Sequence, residues 1–247
     1  IELVNAPDLD AWMPQRPGNR LQLTSQLSEK LPKLRIGVLD RPPNGATVDS
    51  PQAAALDEIS SFLAAAGHTL TEVRPDELQI KGLDGYRKVV APGWSHLMDY
   101  DLTQPSHPSV VARLKSIEGA TVPQFVRAAA ELRAGTRAIV RRWRTDFDVL
   151  LTPLTGCAFP DHGVLLKETA APPDARPISD ATRGFVDWVN VIGLPAIGLP
   201  THIDLRGVPF GVQIIGGPYR EDLLLQIGML LEDHHRWHER QLPKDLR

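Results

Sequence analysis

Cysteine and long apolar runs are what this sequence most clearly lacks. Cys157 is the only cysteine, so no disulfide can form within the chain, and zinc sites built from cysteine pairs are excluded. The longest apolar segments have the length of a strand, whereas a helix that spans a bilayer needs about 18 consecutive apolar residues. We therefore expect no membrane partner.

A strong charge of either sign is also missing. The chain has 27 basic and 30 acidic residues and a net charge of -3, which gives no bulk field to attract nucleic acid or an anionic membrane. No basic, signal-like apolar segment opens the sequence. These observations predict a cytoplasmic protein with no nucleic-acid partner.

Several catalytic motifs are absent. The sequence contains no G-x-S-x-G elbow, no phosphate-binding glycine loop and no H-E-x-x-H helix. His234, His235 and His238 raise the possibility of a metal site, but a third ligand and a buried setting are not evident. The sequence predicts neither a metal nor a cofactor.

The N-terminus begins at Ile1 rather than at methionine, which predicts a processed product or a piece of a longer protein. Residues 1–33 are irregular and contain Pro7, Pro14 and Pro17. We expect them to form a linker or a wrapping arm.

From residue 34 onwards, strand and helix patterns alternate. Leu34–Asp40 and His68–Val73 read as strands joined by a helix that begins at Ser50-Pro51, with Ser50 as its cap, and ends at Gly67. Such a β-α-β unit favours parallel strands. Later strands are predicted at 147–153, 196–201 and 211–216, and later helices at 181–191 and 222–234. The fold class is α/β, a mixed β-sheet flanked by helices.

The strongest helical pattern runs from Val122 to Trp143. Its apolar stripe is predicted to face the core and comprises Val122, Phe125, Val126, Ala129, Leu132, Thr136, Ile139, Val140 and Trp143. The arginines fall mostly outside that stripe, where we expect a solvated surface with local ion pairs. These arginines are Arg127, Arg133, Arg137, Arg141 and Arg144.

Four segments in order resemble the amidase-signature family. Residues 147–155 (FDVLLTPLT) resemble its strand and loop, 185–200 (FVDWVNVIGLPAIGLP) its N-x-x-G-x-P-A block, and 207–223 its G-x-P-x-G-x-Q ending. Upstream, 34–73 resembles its L-x-I-G-V and A-G-H segments. The resemblance implies that residues 34–247 are the C-terminal part of a single amidase-signature domain.

The resemblance also implies an activity and shows which catalytic region this sequence does not contain. The family hydrolyses amide carbon–nitrogen bonds through a seryl acyl-enzyme, with two serines and a lysine from an N-terminal lysine segment and a Gly/Ser-rich region. No such region occurs here, and family members are considerably longer, so the chain aligns with their second half. We therefore expect it to be inactive without an N-terminal half and to have no catalytic residue of its own. Its predicted partners are that half, or another copy, and a small-molecule amide.

Six residues are candidates for one wall of the substrate pocket, because they follow strand ends, where α/β sheets place ligands. They are Trp94, Thr152, Thr155, Cys157, Trp188 and Asn190. Core or loop packing remains the alternative for each, and capping is an alternative for Asn190. Two other functions stay open: a non-catalytic binding or structural domain that retains the fold, and a small hydrolase that uses Cys157 or Ser95.

Overall fold

The computed structural model describes residues 30–90, 119–169 and 175–239, together with residues 111 and 115. Within these residues the strands are β1 (Arg35–Val38), β2 (Thr69–Glu72), β3 (Val149–Pro153), β4 (Ala196–Ile203) and β5 (Pro209–Gly216). The α-helices are α1 (Ser50–Ala65), α2 (Leu83–Gly85), α3 (Val122–Val140), α4 (Arg142–Thr145), α5 (His162–Thr169), α6 (Pro177–Arg183), α7 (Asp187–Ile192) and α8 (Glu221–His235). Short 3₁₀ segments lie at Pro75–Leu78 and Trp237–Glu239, and a π-helix lies at Tyr86–Val90.

The five described strands form one mixed sheet in the order β2-β1-β3-β5-β4. β1 is parallel to β2 and to β3. β5 is antiparallel to both β3 and β4. The predicted mixed sheet flanked by helices is confirmed, and so is the parallel β-α-β unit.

The β1-α1-β2 unit forms largely as the local sequence predicts. Pro51 lies in the first turn of α1, where its missing N–H costs nothing. Gly67 follows the helix with a φ of +89°, a conformation that glycine adopts without steric cost. The cap prediction was wrong by one residue: Asp49 is the N-cap and Ser50 is the first helical residue.

Apolar side chains pack in two clusters, one on each face of the sheet. On β3, Val149 and Leu151 belong to the cluster with α1 and α8, whereas Leu150 belongs to the cluster with α3, α4 and α7. This alternation follows from the two-residue period of a strand. The sheet is therefore the middle of three layers. None of the helices in the described residues combines the length and hydropathy needed to span a bilayer.

Helix α3 is rotated relative to the prediction. It buries Ala128, Gly135 and Ile139, while Val122 and Val126 are 77% and 58% exposed. The cause is close approach at glycine: a Cβ on Gly135 would overlap the carbonyl oxygen of Lys81. A helix packs most closely where its side chains are smallest, so the glycine and alanine side faces the protein.

Two further predictions differ from the structure. The helix predicted at 181–191 is two helices, α6 and α7, with turns at residues 184–186 between them. The local ion pairs expected for the arginines of α3 and α4 are absent: among the described residues, no ion pair involves Arg127, Arg133, Arg137, Arg141 or Arg144. Residues 1–29 of the predicted arm lie outside the described residues.

Candidate substrate-binding site at the carboxyl end of β3

The carboxyl ends of β1 and β3 lie at the same edge of the sheet because the two strands are parallel. The loop that follows β3 is fixed between two neighbouring segments. The Asp49 N–H donates to the Gly156 carbonyl at 2.7 Å, and the Gly156 N–H donates to the Ala181 carbonyl at 2.8 Å. The loop is thus tied both to the start of α1 and to α6.

Gly156 is required for this arrangement. A Cβ at this position would lie 2.6 Å from the Thr47 carbonyl oxygen and 3.0 Å from that of Ala181. Backbone atoms on both sides leave no room for a side chain. The Thr155-Gly156-Cys157 sequence therefore places its neighbours between α1 and α6.

Thr152 is fully buried and forms part of a polar contact inside the core. It lies directly opposite Gln213 on β5. The Gln213 amide nitrogen donates to the Thr152 hydroxyl at 3.4 Å and to the Phe185 carbonyl at 3.2 Å. Since residues 184–186 connect α6 to α7, this contact joins the sheet to both helices.

Thr155 and Cys157 form a second polar contact in the loop after β3. The Thr155 hydroxyl donates to the Cys157 carbonyl at 2.9 Å, and the Cys157 Sγ lies 3.5 Å from the Thr182 hydroxyl of α6. Thr182 already donates its single hydroxyl proton to the Ile178 carbonyl at 2.7 Å, so the thiol is the donor to Thr182. A hydroxyl engaged in this way is not a base, and this contact does not activate Cys157 as a nucleophile.

Trp188 and Asn190 lie on different sides of α7. Trp188 is 2% exposed and packs in the cluster that contains Leu150, Phe185 and Ile215. The Trp188 Nε1 is buried without a hydrogen-bond partner. Asn190 is exposed, as expected for two positions that are separated by about 200° around a helix.

The six candidates therefore divide into three groups. Four candidates surround or belong to the α6–α7 segment (Pro177–Ile192), namely Thr152, Thr155, Cys157 and Trp188. Among these four, Cys157 is the one that is partly exposed. The Asn190 side chain points away from this group. Trp94 lies outside the described residues, as does Ser95.

Gln213 contacts the candidate site, although the sequence reasoning did not single it out. It links Thr152 to the α6–α7 segment. The signal was present in the sequence, because Gln213 is the glutamine of the G-x-P-x-G-x-Q segment at 207–213. A buried amide within an apolar strand requires a polar partner, and this requirement could have identified it.

A carboxylate fixes the start of α6 beside the site. Glu168 accepts hydrogen bonds from the N–H groups of Ile178 at 3.0 Å and Ser179 at 2.7 Å. Desolvation acts to raise the pKa of Glu168, but the hydrogen bonds from Ser179 and Ile178 outweigh it and lower that pKa. The ionised carboxylate therefore caps helix donors that would otherwise be unpaired.

Neither a metal centre nor a serine–lysine pair is present in the part of the chain that the structure describes. No three His, Cys, Asp or Glu side chains are grouped so as to hold an ion there, and the His234 ring stacks on Phe62 with centroids 4.0 Å apart. Lys33, the one described lysine with a side-chain hydrogen bond, donates to the Ala66 carbonyl rather than to a serine.

Comparison with known proteins gives a family and two groups of relatives. The family model described as Amidase matches residues 8–225. The 6-aminohexanoate-cyclic-dimer hydrolase of Pseudomonas sp. (strain NK87) is 31% identical over 231 residues, covering 85% of this chain and 46% of that protein. One component of the glutamyl-tRNA(Gln) amidotransferase of Picosynechococcus sp. (strain ATCC 27264 / PCC 7002 / PR-6) is 49% identical over 53 residues, covering 22% of this chain and 11% of that protein.

The solved structures agree with these relatives. A structure of 6-aminohexanoate cyclic dimer hydrolase superimposes with a TM-score of 0.79 and 27% identity, over 95% of this chain and 53% of that chain. This chain thus spans about half the length of the hydrolases it matches.

Proposed function

This chain belongs to the amidase family, and from that premise we propose that it supplies one part of a hydrolase acting on amide carbon–nitrogen bonds. In this proposal it contributes the scaffold and one wall of the substrate pocket, and it is inactive without the polypeptide segment that carries the nucleophile. The observation that carries the proposal is the coverage: nearly the whole chain matches relatives of which it spans about half.

The residues that are present indicate which catalytic and binding groups each segment would supply. Hydrolysis through a seryl acyl-enzyme needs a serine to attack the carbonyl, a base to take its proton and donors for the oxyanion. The missing segment would supply those groups. The loop after β3 would hold the substrate, with Thr155 and Cys157 nearest to it and with Thr152 and Trp188 supporting them from the core.

Trp94 and Asn190 remain in the proposal as further contacts. Because Asn190 is exposed in the isolated chain, it would act only where the partner segment covers α7. The relatives suggest a first substrate to test, since two of them are named for hydrolysis of the 6-aminohexanoate cyclic dimer.

The position of β4 at one end of the described sheet supports the need for a partner. Among the described strands β4 pairs only with β5, and Ala196 and Gly198 on one of its faces are exposed. A strand at the edge of a sheet is a template for another strand. The proposed occupant is the missing amidase segment, with a second copy of this chain as the alternative.

Reconstitution tests this proposal. The segment of the Pseudomonas hydrolase that this chain does not cover would be co-expressed with the chain, and release of free amine from the 6-aminohexanoate cyclic dimer would be measured. We expect no turnover by the chain alone and measurable turnover by the reconstituted complex. Turnover by the chain alone, or a stable complex without turnover, would contradict the proposal.

A matched pair of variants tests whether the loop after β3 lines the substrate pocket or serves only as scaffold. In the active complex, Cys157→Leu should raise KM because a larger side chain enters the partly exposed loop. Ala64→Leu, on an exposed position of α1, should leave KM unchanged. If both variants behave alike, the loop does not line the pocket.

The non-catalytic alternative rests on a specific observation. Among the described residues, Ser50, Ser60, Ser61 and Ser179 form no hydrogen bond with a lysine, and the Ser60 hydroxyl is buried without a partner. If the reconstituted complex binds the cyclic dimer without hydrolysing it, the chain is instead a binding domain that retains the amidase fold.

A further inference from the structure

Helix α6 contacts the loop after β3 with its last turn. The Ala181 carbonyl accepts the Gly156 N–H at 2.8 Å, and the Thr182 hydroxyl lies 3.5 Å from the Cys157 Sγ. The helix ends at Arg183, so Ala181 belongs to the turn whose carbonyls need partners from outside the helix. The position of the loop therefore depends on whether α6 is intact.

Helix α6 is too short to be stable by itself. It comprises seven residues, whereas isolated helices shorter than about 12 residues are marginal in water. Arg176 at the N-cap provides no side-chain hydrogen bond to the first turn, although this position usually carries Ser, Thr, Asp or Asn for that purpose. The first turn of α6 therefore depends on a cap from another part of the chain.

Glu168 of α5 supplies that cap. One of its carboxylate oxygens accepts the Ile178 N–H at 3.0 Å, and the other accepts the Ser179 N–H at 2.7 Å. Because Pro177 is the first residue of the helix, these are the second and third positions, whose N–H groups an N-cap side chain would bind. The negative charge also suits the positive end of the helix dipole. Glu168 thus replaces an N-cap side chain from ten residues away.

The cap and the loop are connected through one residue of α6. Ile178 donates its N–H to Glu168, and its carbonyl accepts the Thr182 hydroxyl at 2.7 Å. That hydroxyl is the group beside the Cys157 Sγ. On its other side the loop is tied to the start of α1 by a backbone hydrogen bond. Loss of the cap should therefore release the α6 side of the loop while the α1 side stays bound.

We propose that Glu168 is a positioning residue for the candidate site: through α6 it holds the loop after β3 in the conformation that binds substrate. It acts through the helix and not by contact with the substrate. The role of the loop in substrate binding rests on the proposed function, whereas the link from Glu168 to the loop rests on hydrogen bonds within this chain. The two can be tested separately.

Two measurements on the full chain test the link without any activity. The first is the exchange rate of the Gly156 amide hydrogen, which its bond to Ala181 protects. The second is the rate at which iodoacetamide alkylates Cys157, the only cysteine, followed by intact mass. Glu168→Ala should raise both rates by about fivefold, the factor that corresponds to a typical lost helix cap. Exchange of the Leu150 amide in the core should not change.

Three further variants separate a lost cap from a general loss of stability. Asp57→Ala removes the same charge from an exposed position of α1 and should change neither rate. Arg176→Ser, combined with Glu168→Ala, places a cap at the N-cap itself and should return both rates towards those of the unaltered chain. Glu168→Gln keeps one acceptor oxygen and should give intermediate rates. It also decides the matter if Glu168→Ala does not fold.

Kinetics of the reconstituted complex test the consequence for the substrate. Glu168→Ala should raise KM for the 6-aminohexanoate cyclic dimer with little change in kcat, because the loop contributes binding that the ground state and the transition state share. Arg176→Ser should again reverse the effect. Absence of turnover with the unaltered chain would contradict the proposed function alone, since amide exchange and alkylation still decide the role of Glu168.

Several results would overturn the proposal. One is a Glu168→Ala variant in which Gly156 exchange and Cys157 alkylation are unchanged. Another is a rise in both rates that merely follows the Leu150 amide, which would make Glu168 a residue of general stability. Failure of Arg176→Ser to restore the rates, or an unchanged KM in an active complex, would also contradict it.

Discussion

At the scale of the single residue, the buried polar contact between β3, β5 and the α6–α7 segment decides how the candidate site is supported. The Gln213 amide is the one group that bonds to both Thr152 and Phe185. Buried polar groups that lose a partner are costly, whereas a satisfied contact contributes little net stability. Removal of the Gln213 amide should therefore destabilise the fold mainly because it leaves Thr152 and Phe185 without their donor. The two hydrogen bonds themselves add little net stability.

Gln213→Leu should lower the free energy of unfolding by about 1–3 kcal/mol, because the buried Phe185 carbonyl and Thr152 hydroxyl lose their donor. Urea denaturation at neutral pH measures this change in the free energy of unfolding. Thr152→Val is the control: it removes the hydroxyl, which itself donates to the Pro153 carbonyl, but Gln213 keeps Phe185 as a partner, so the loss should be smaller. A larger loss in Thr152→Val would contradict this account.

The Arg35–Asp148 pair predicts a pH dependence. The Asp148 carboxylate accepts the Arg35 N–H at 2.8 Å and the guanidinium at 2.8 Å. Desolvation acts to raise the pKa of Asp148, but the hydrogen bonds and charge of Arg35 outweigh it and lower that pKa. A lowered folded-state pKa contributes stability above the unfolded pKa of about 3.9, and that contribution is lost as the pH falls through the folded-state pKa.

Asp148→Asn should therefore be less stable than the unaltered chain at pH 7 by about 1 kcal/mol or less, since the Arg35 side chain is partly exposed and screened. The difference should shrink as the pH is lowered below about 4. Urea midpoints of both proteins, measured from pH 7 to below about pH 4, check how this stability difference changes with pH. A difference that stays constant with pH would show that the carboxylate charge is not responsible.

Residue-level prediction from the sequence was uneven for a physical reason. The sequence reasoning chose Thr152, Thr155, Cys157 and Trp188 because they follow strands or lie in a segment that resembles the family. Gln213 was missed because its neighbours, Val212 and Ile214, made the strand read as uniformly apolar. Its hydrogen bonds reach residues more than 25 positions away, and local patterns carry no such information.

At the scale of the element, α3 shows how a glycine sets helix orientation. Gly135 lies against the backbone of Lys81, and Gly82 lies against the backbone of Glu131 and Leu132. These two close approaches fix α3 on the segment before the π-helix. The apolar stripe of the sequence is consequently only partly buried.

Gly135→Ala tests that explanation through the sign of its effect. In an exposed helix interior, glycine to alanine stabilises by about 1 kcal/mol. Here the added Cβ overlaps the Lys81 carbonyl, so the variant should be destabilised instead. Gly163→Ala in α5, where no atom lies within 4 Å of the added Cβ, is the matched control and should be neutral or stabilising. Thermal midpoints of the two variants decide the matter.

Elements with a strong local signal were predicted well. The β1-α1-β2 unit follows from its period, from Pro51 and from Gly67, and the β4–β5 hairpin follows from its apolar runs around Gly207. The orientation of α3 and the division of 181–191 into two helices could not be predicted, because both depend on which distant backbone comes closest. Periodicity identifies an apolar side but not how much of it the rest of the chain covers.

At the scale of the whole molecule, β4 lies at one edge of the described sheet. This position predicts association. In sedimentation velocity the isolated chain should show a weight-average mass that rises with concentration, since edge strands favour contacts between copies. Ala196→Lys on β4 should reduce the association more than Ala64→Lys on α1, although both positions are exposed. A monomer that is stable to dilution would count against this association.

The measurement that tests the central claim most directly is the mass of the protein isolated from the cells that make it, first native and then denatured. The account predicts a species above the 27.2 kDa of this chain, or a second co-purifying chain with a Gly/Ser-rich segment, and amide hydrolysis in that same fraction. A lone chain of 27.2 kDa, without a partner and without hydrolysis, would contradict the proposal that this is a working part of an amidase and would leave a binding domain with the amidase fold.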